Sequence, residues 1–171
     1  TYTCSAVSTN FSGLNFQYNS DSFVIGIDNH ASKTMSNKIR DFITPLTPTP
    51  NTFVKGAGGY INVMGSGTLR WRIEDDDGKV HTILVKDSLY VPNIPKCLLS
   101  CQHWEKQAND NFPKPKGTWC ATYDDSCVME WNQRRYRRTI QMDPITNTPN
   151  IVSAPGFNVY RKKAAALDCL L

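Results

Sequence analysis

The strongest constraint in the sequence is a hairpin signature near its middle. Thr68-Leu69-Arg70-Trp71-Arg72-Ile73 alternates apolar with polar residues, Asp75-Asp76-Asp77-Gly78 follows, and Val80-His81-Thr82-Ile83-Leu84-Val85 returns. A period of two puts Leu69, Trp71 and Ile73 on one face of a strand. An Asp-Gly pair between two such runs supplies a turn. This commits the middle of the chain to antiparallel sheet with one dry face. Phe23-Val24-Ile25-Gly26-Ile27 reads as a buried strand ended by the turn-type cluster Asp28 to Ser32. Gly56-Ala57-Gly58-Gly59 with Tyr60-Ile61-Asn62-Val63 gives a glycine-rich hairpin, and Gly65-Ser66-Gly67 a strand bend. Leu89-Tyr90-Val91 reads as a further strand, closed by Pro92 and Pro95, and Cys97 to Gln107 looks helical. Pro45, Pro48 and Pro50 make 44–51 an extended loop. Lys33 to Phe42 fits a short helix or a strand.

Composition sets the scale. The 171 residues are 40% apolar and 20% charged, enough for a real core and outside the disordered class. No run approaches 18 apolar residues, which excludes a helical membrane span. Thr1 to Gly13 lacks a basic stretch followed by an apolar one, so a signal peptide is not expected, nor is secretion. A start at Thr1 suggests a piece of a longer product or a processed one. The organisation expected is a loose leader over 1–20, a β domain over 21–108, a Pro/Lys/Asn linker over 109–117, and a hairpin with an irregular tail over 118–171. The hairpin pairs Trp119 to Tyr123 with Cys127 to Trp131 around Asp124-Asp125-Ser126. The six cysteines, Cys4, Cys97, Cys101, Cys120, Cys127 and Cys169, are expected as reduced thiols.

Most chemical motifs are missing. Gly56, Gly58 and Gly59 do not complete a dinucleotide fingerprint, and no phosphate-loop Gly-Lys-Ser/Thr exists. Met64 precedes Gly65-Ser66-Gly67 where a nucleophile elbow needs glycine. Cys97, Cys101 and His103, or Cys120 and Cys127, lack the spacing of a zinc ribbon, so neither metal nor cofactor is expected. The net charge of +4 is too mild to imply nucleic acid by itself. Arg134, Arg135, Arg137 and Arg138, interleaved with Tyr136 and preceded by Trp131, suit either weak contact with a phosphate backbone or a solvated strand face. Asp28 stands out because a carboxylate ending a buried strand needs hydrogen-bonding neighbours. It is a functional candidate or a cap of its own turn, and both readings stand.

Three segments in order carry a resemblance. Phe23-Val24-Ile25-Gly26-Ile27-Asp28-Asn29-His30-Ala31-Ser32 looks like the aspartate loop of the retropepsin-type protease in copia-type retrotransposon polyproteins. Val63-Met64-Gly65-Ser66-Gly67-Thr68 resembles that family's Gly-x-Gly-Thr segment. Leu89-Tyr90-Val91-Pro92-Asn93-Ile94-Pro95-Lys96-Cys97-Leu98-Leu99-Ser100 resembles its second signature, before a terminal helix. The likeness covers roughly 21–108, and 117–160 looks more weakly like the stretch before integrase. It implies a mostly β fold: a small closed β-barrel of the retropepsin type with a short C-terminal helix. It also implies an aspartic endopeptidase that processes its own polyprotein, in a cytoplasmic retroelement particle. Asp28 would be catalytic, with Asn29, His30, Ala31 and Ser32 as its loop and Gly56, Ala57, Gly58 and Gly59 as a flap over the polypeptide substrate. One aspartate loop per chain implies a homodimer, because the reaction needs two facing carboxylates. The family's triplet is Asp, Ser or Thr, then Gly; here it is Asp28-Asn29-His30, so the natural chain is expected to be weak or inactive. The alternative is a catalytically silent β module for dimerisation or nucleic-acid binding.

Overall fold

A computed structural model describes residues 22–56, 58–110 and 117–154. The leader expected over 1–20, Ala57 and the end of the tail lie outside them. The elements are β1 (Val24–Asp28), β2 (Met35–Ser36), a 3-10 turn (Ile39–Asp41), β3 (Phe53–Gly56), β4 (Gly59–Asn62), β5 (Gly65–Glu74), β6 (Val80–Tyr90), β7 (Cys97–Ser100), α1 (Cys101–Ala108), β8 (Trp119–Thr122), β9 (Ser126–Trp131), β10 (Tyr136–Gln141) and β11 (Asn150–Val152). The fold is mostly β with one short helix among the described residues.

The β5–β6 hairpin follows its alternation: Leu69, Trp71 and Ile73 face Ile83 and Val85 in the core. The turn is wider than an Asp-Gly pair alone would make. Asp75 organises it, accepting the Asp77 and Lys79 N–H groups at 3.1 and 2.8 Å on Oδ1 and contacting His81 Nε2 at 2.6 Å through Oδ2. The His81 hydrogen bond, ahead of the main-chain donors, holds the Asp75 carboxyl below its ordinary value. Leu89 and Tyr90 continue β6 rather than forming a separate strand. A bulge sets Lys86 and Asp87 against Thr68, with Asp87 at φ 52° and Ser88 Oγ donating to Val85 O at 2.9 Å.

Lys33 to Phe42 resolves into the two-residue β2 and the 3-10 turn. The following strap bridges β5 at Phe42–Leu69 and Thr47–Ser66. Glycine is needed beneath it: a Cβ on Gly65 would lie 3.1 Å from Leu46 Cβ and Thr47 O, and one on Gly67 3.1 Å from Leu46 Cδ2.

The helix is shorter than the sequence suggests. Cys97–Ser100 is strand because Cys97 and Leu99, both fully buried, pair in parallel with β1. Ser100 then caps α1, accepting the His103 N–H at 3.2 Å.

The expected closed barrel is corrected. The main sheet is an open ladder in the order β11-β1-β7-β2-β6-β5. Part of β5's outer edge takes the 42–47 strap in place of another strand. The ladder's two ends still approach, since the Ala154 N–H donates to Arg72 O at 2.8 Å.

The sheet β10-β9-β8 packs on this ladder. Cys127, Met129, Trp131 and Ile140 share one cluster with Ile25, Leu69, Trp71, Leu99 and Trp104. The boundary read at 109–117 falls largely outside the described residues, and the irregular tail expected within 118–171 contributes β11 to the ladder.

Candidate active site

Asp28 closes β1 where that strand runs parallel to β7, opposite Ser100. Its Oδ1 accepts the N–H groups of His30 at 2.7 Å and Ala31 at 3.0 Å. The carboxylate therefore caps its own turn, and the residue stays half-exposed. Beneath the loop, Ser100 Oγ donates to Ala31 O at 2.5 Å and accepts from the helix. Asn29 is half-buried: its amide donates to Thr122 Oγ1 at 2.7 Å, and its carbonyl accepts from the Gln102 amide. His30 and Ser32 are exposed and Ala31 is half-buried.

The flap candidate is a separate two-stranded hairpin, β3 with β4, in register from Phe53–Asn62 to Gly56–Gly59. Gly59 turns at φ 117°, and Gly56, Gly58 and Gly59 stand open, with no atom within 4 Å of an added Cβ. Phe53 and Tyr60 are exposed and meet edge to face at 6.4 Å. At its base, Val54 and Ile61 pack on the cluster of Met35, Val63, Val91 and Ile94, and Ala31 packs on it too. Loop and hairpin are thus seated on one apolar patch.

The arginines lie elsewhere. Arg134 Nε and Arg137 Nη1 sit 3.5 and 3.6 Å from the Glu130 carboxylate. Arg134 also lies 5.0 Å over the Trp119 ring, and Arg138 donates to Asp75 O at 3.3 Å. Three of the four are engaged within the chain, while Arg135 is exposed. Cys97, Cys101, Cys120 and Cys127 are free thiols, and no group of three metal-ligating side chains converges among the described residues.

His103 underpins the loop from α1, whereas its sequence context offered it only as a metal ligand beside Cys97 and Cys101. Its Nδ1 accepts the buried Thr34 N–H at 3.2 Å, so the neutral ring carries its proton on Nε2. Nε2 faces the Lys33 ammonium at 3.4 Å. Burial first, then Lys33, lowers the His103 pKa to about 4. The unfolded chain thus binds this proton more readily, so stability is full above about pH 6.5 and declines as pH falls toward 4. Urea midpoints at pH 7 and pH 4.5 should separate more in the natural chain than in His103→Gln. Equal separations would show that His103 does not drive the decline.

Thr122, Gln102 and Ser100 escaped the sequence reading of the site. The first two reach Asn29 across 93 and 73 residues, and nothing local marks such pairs. Ser100 ends the Leu-Leu-Ser segment, but its role emerges only when β1 and β7 pair.

No curated protein and no solved structure matches the chain. Residues 26–109 match the family described as the beta-barrel domain of the Pol polyprotein, which fits a β fold, takes in the Asp28 loop and all of α1, and supports a retroelement-derived Pol polyprotein region for this stretch.

Proposed function

We propose that the chain carries the aspartic endopeptidase module of a copia-type retroelement polyprotein, acting as a homodimer on that polyprotein within a cytoplasmic particle. The observation that carries this reading is the presentation of Asp28. Its carboxylate ends a strand of the main ladder, is oriented by two main-chain N–H groups, and remains half-exposed. A carboxylate so fixed can take a proton from water with little reorganisation. A second copy would supply its partner, and two carboxylates about 3 Å apart would share one proton. One takes the proton of the attacking water while the other, protonated, polarises the scissile carbonyl. The β3–β4 hairpin would close over the peptide and exclude water.

The second reading is a silent β module that dimerises or binds nucleic acid. One feature favours it: the triplet Asp28-Asn29-His30 departs at two of its three positions from the Asp, Ser or Thr, Gly of the resembled family. The test is cleavage of peptides spanning the polyprotein junctions, with and without a pepstatin-type inhibitor, beside sedimentation at tens of micromolar. Slow, inhibitor-sensitive cleavage by a dimer is expected. A dimer that cleaves nothing leaves the silent module as a dimerisation element, and a monomer that cleaves nothing leaves it only as a nucleic-acid binder.

A further inference from the structure

We propose that Thr122 and Gln102 are positioning residues for the Asp28 loop, which is completed by chain beyond residue 117 and outside the stretch that matches the Pol β domain. The geometry runs through one peptide plane. The Asn29 carbonyl and the His30 N–H belong to the same rigid unit. The Gln102 amide holds the carbonyl end, and the N–H end is donated to Asp28 Oδ1. Orienting the one orients the other, so a helix side chain sets the donor that aims the carboxylate.

Thr122 holds the same residue by its side chain. Its hydroxyl accepts from the Asn29 amide at 2.7 Å and lies 3.9 Å from Cys127 Sγ as a donor, so both of its roles are used consistently. Thr122 is itself fixed opposite Cys127 in the β8–β9 ladder, and Cys127 is fully buried. On the other side of Asp28, the Ile27 N–H donates to Pro149 O at 3.0 Å, just ahead of β11. The chain beyond 117 therefore grips the residue before Asp28 and the residue after it. The consequence for catalysis rests on the endopeptidase reading; the positioning of the loop does not.

The test uses the full chain and three variants: Thr122→Val, which removes the hydroxyl at nearly constant shape, Thr122→Ser, which restores it, and Gln102→Leu. Amide exchange at His30 and Ala31 is followed by NMR, with Leu99 and Trp71 as core references. Loss of one net hydrogen bond should speed exchange at His30 and Ala31 by about five-fold in Thr122→Val. Leu99 and Trp71 should not change, and Thr122→Ser should return the natural rates. Gln102→Leu should act in the same direction, most at His30. Unchanged rates at His30 in both Thr122→Val and Gln102→Leu, failure of serine to rescue, or an equal rise across the core would overturn the proposal. Junction-peptide cleavage is measured in parallel. A fall in kcat without a change in KM ties the loop to chemistry. A loosened loop with unaltered cleavage upholds the positioning and sinks Asp28 as the catalytic group.

Discussion

Trp71→Ala is expected to destabilise the chain by about 3–5 kcal/mol, a large part of what a domain of this size holds in reserve. Trp71 is 2% exposed at the centre of β5. Its ring meets Phe23 edge-on at 6.2 Å, and its indole N–H donates to Asp41 Oδ2 at 2.8 Å. Asp41 is itself buried, and the same oxygen accepts the Ser36 hydroxyl at 2.6 Å. The substitution thus opens a cavity and strips a donor from a buried carboxylate. Trp71→Phe separates the two effects, because it keeps most of the volume and loses only the donor; about 1–3 kcal/mol is expected. Urea unfolding at pH 7 reads both. A loss below about 1 kcal/mol for alanine would mean that the cluster joining the ladder to the C-terminal sheet is not a packed core.

Asp28→Asn should abolish junction-peptide cleavage, a loss of about 10²–10⁴-fold for removing a positioned general base, while the fold persists. The asparagine oxygen still accepts the His30 and Ala31 N–H groups, so the turn keeps its cap. What disappears is the ability to take a proton from water. Circular dichroism and the urea midpoint should match the natural chain, and inhibitor-sensitive turnover should be absent. Turnover at the natural rate would place the chemistry away from this loop. The companion change, Asn29→Ser with His30→Gly, is expected to raise activity, most at mildly acidic pH. It removes the imidazole that follows the loop's second residue, a gain that must outweigh the loss of the Asn29–Thr122 hydrogen bond, which a serine is too short to keep. Turnover from pH 4 to 8 checks it, and no gain anywhere in that range would undo the role given to the triplet.

Much of the strand pattern was legible because side chains report it locally. Leu69, Trp71 and Ile73 alternate with arginines, and the alternation holds over most of β5 and β6. The apolar run before Asp28 became β1, and Trp119 to Trp131 the expected hairpin. Spacing misled at Cys97 to Ser100, where Leu98, Leu99 and Cys101 suit a helix but parallel pairing with β1 wins. The closed barrel was expected from a resemblance. The ladder is open because a strap, rather than a strand, covers part of β5. For the site, the sequence showed a carboxylate at a strand end and left its role between chemistry and capping. Capping is observed, and it leaves the carboxylate oriented and half-exposed. The contacts that hold Asn29 join residues far apart in the chain, and no periodicity encodes them.

β11 lies on the outer edge of β1, with Val24 opposite Val152. During synthesis this makes β1 wait for β11. β1 can pair with β7 once Ser100 has emerged, but its other edge stays open while about 50 further residues are made, roughly 3–10 s at ordinary elongation rates. An open edge presents unpaired main-chain donors and acceptors, which do not distinguish their own β11 from that of a neighbouring nascent copy. The order of synthesis therefore leaves β1 with an unpaired edge until its own β11 arrives, and that interval, rather than the finished ladder, is when the chain is most exposed to wrong pairing.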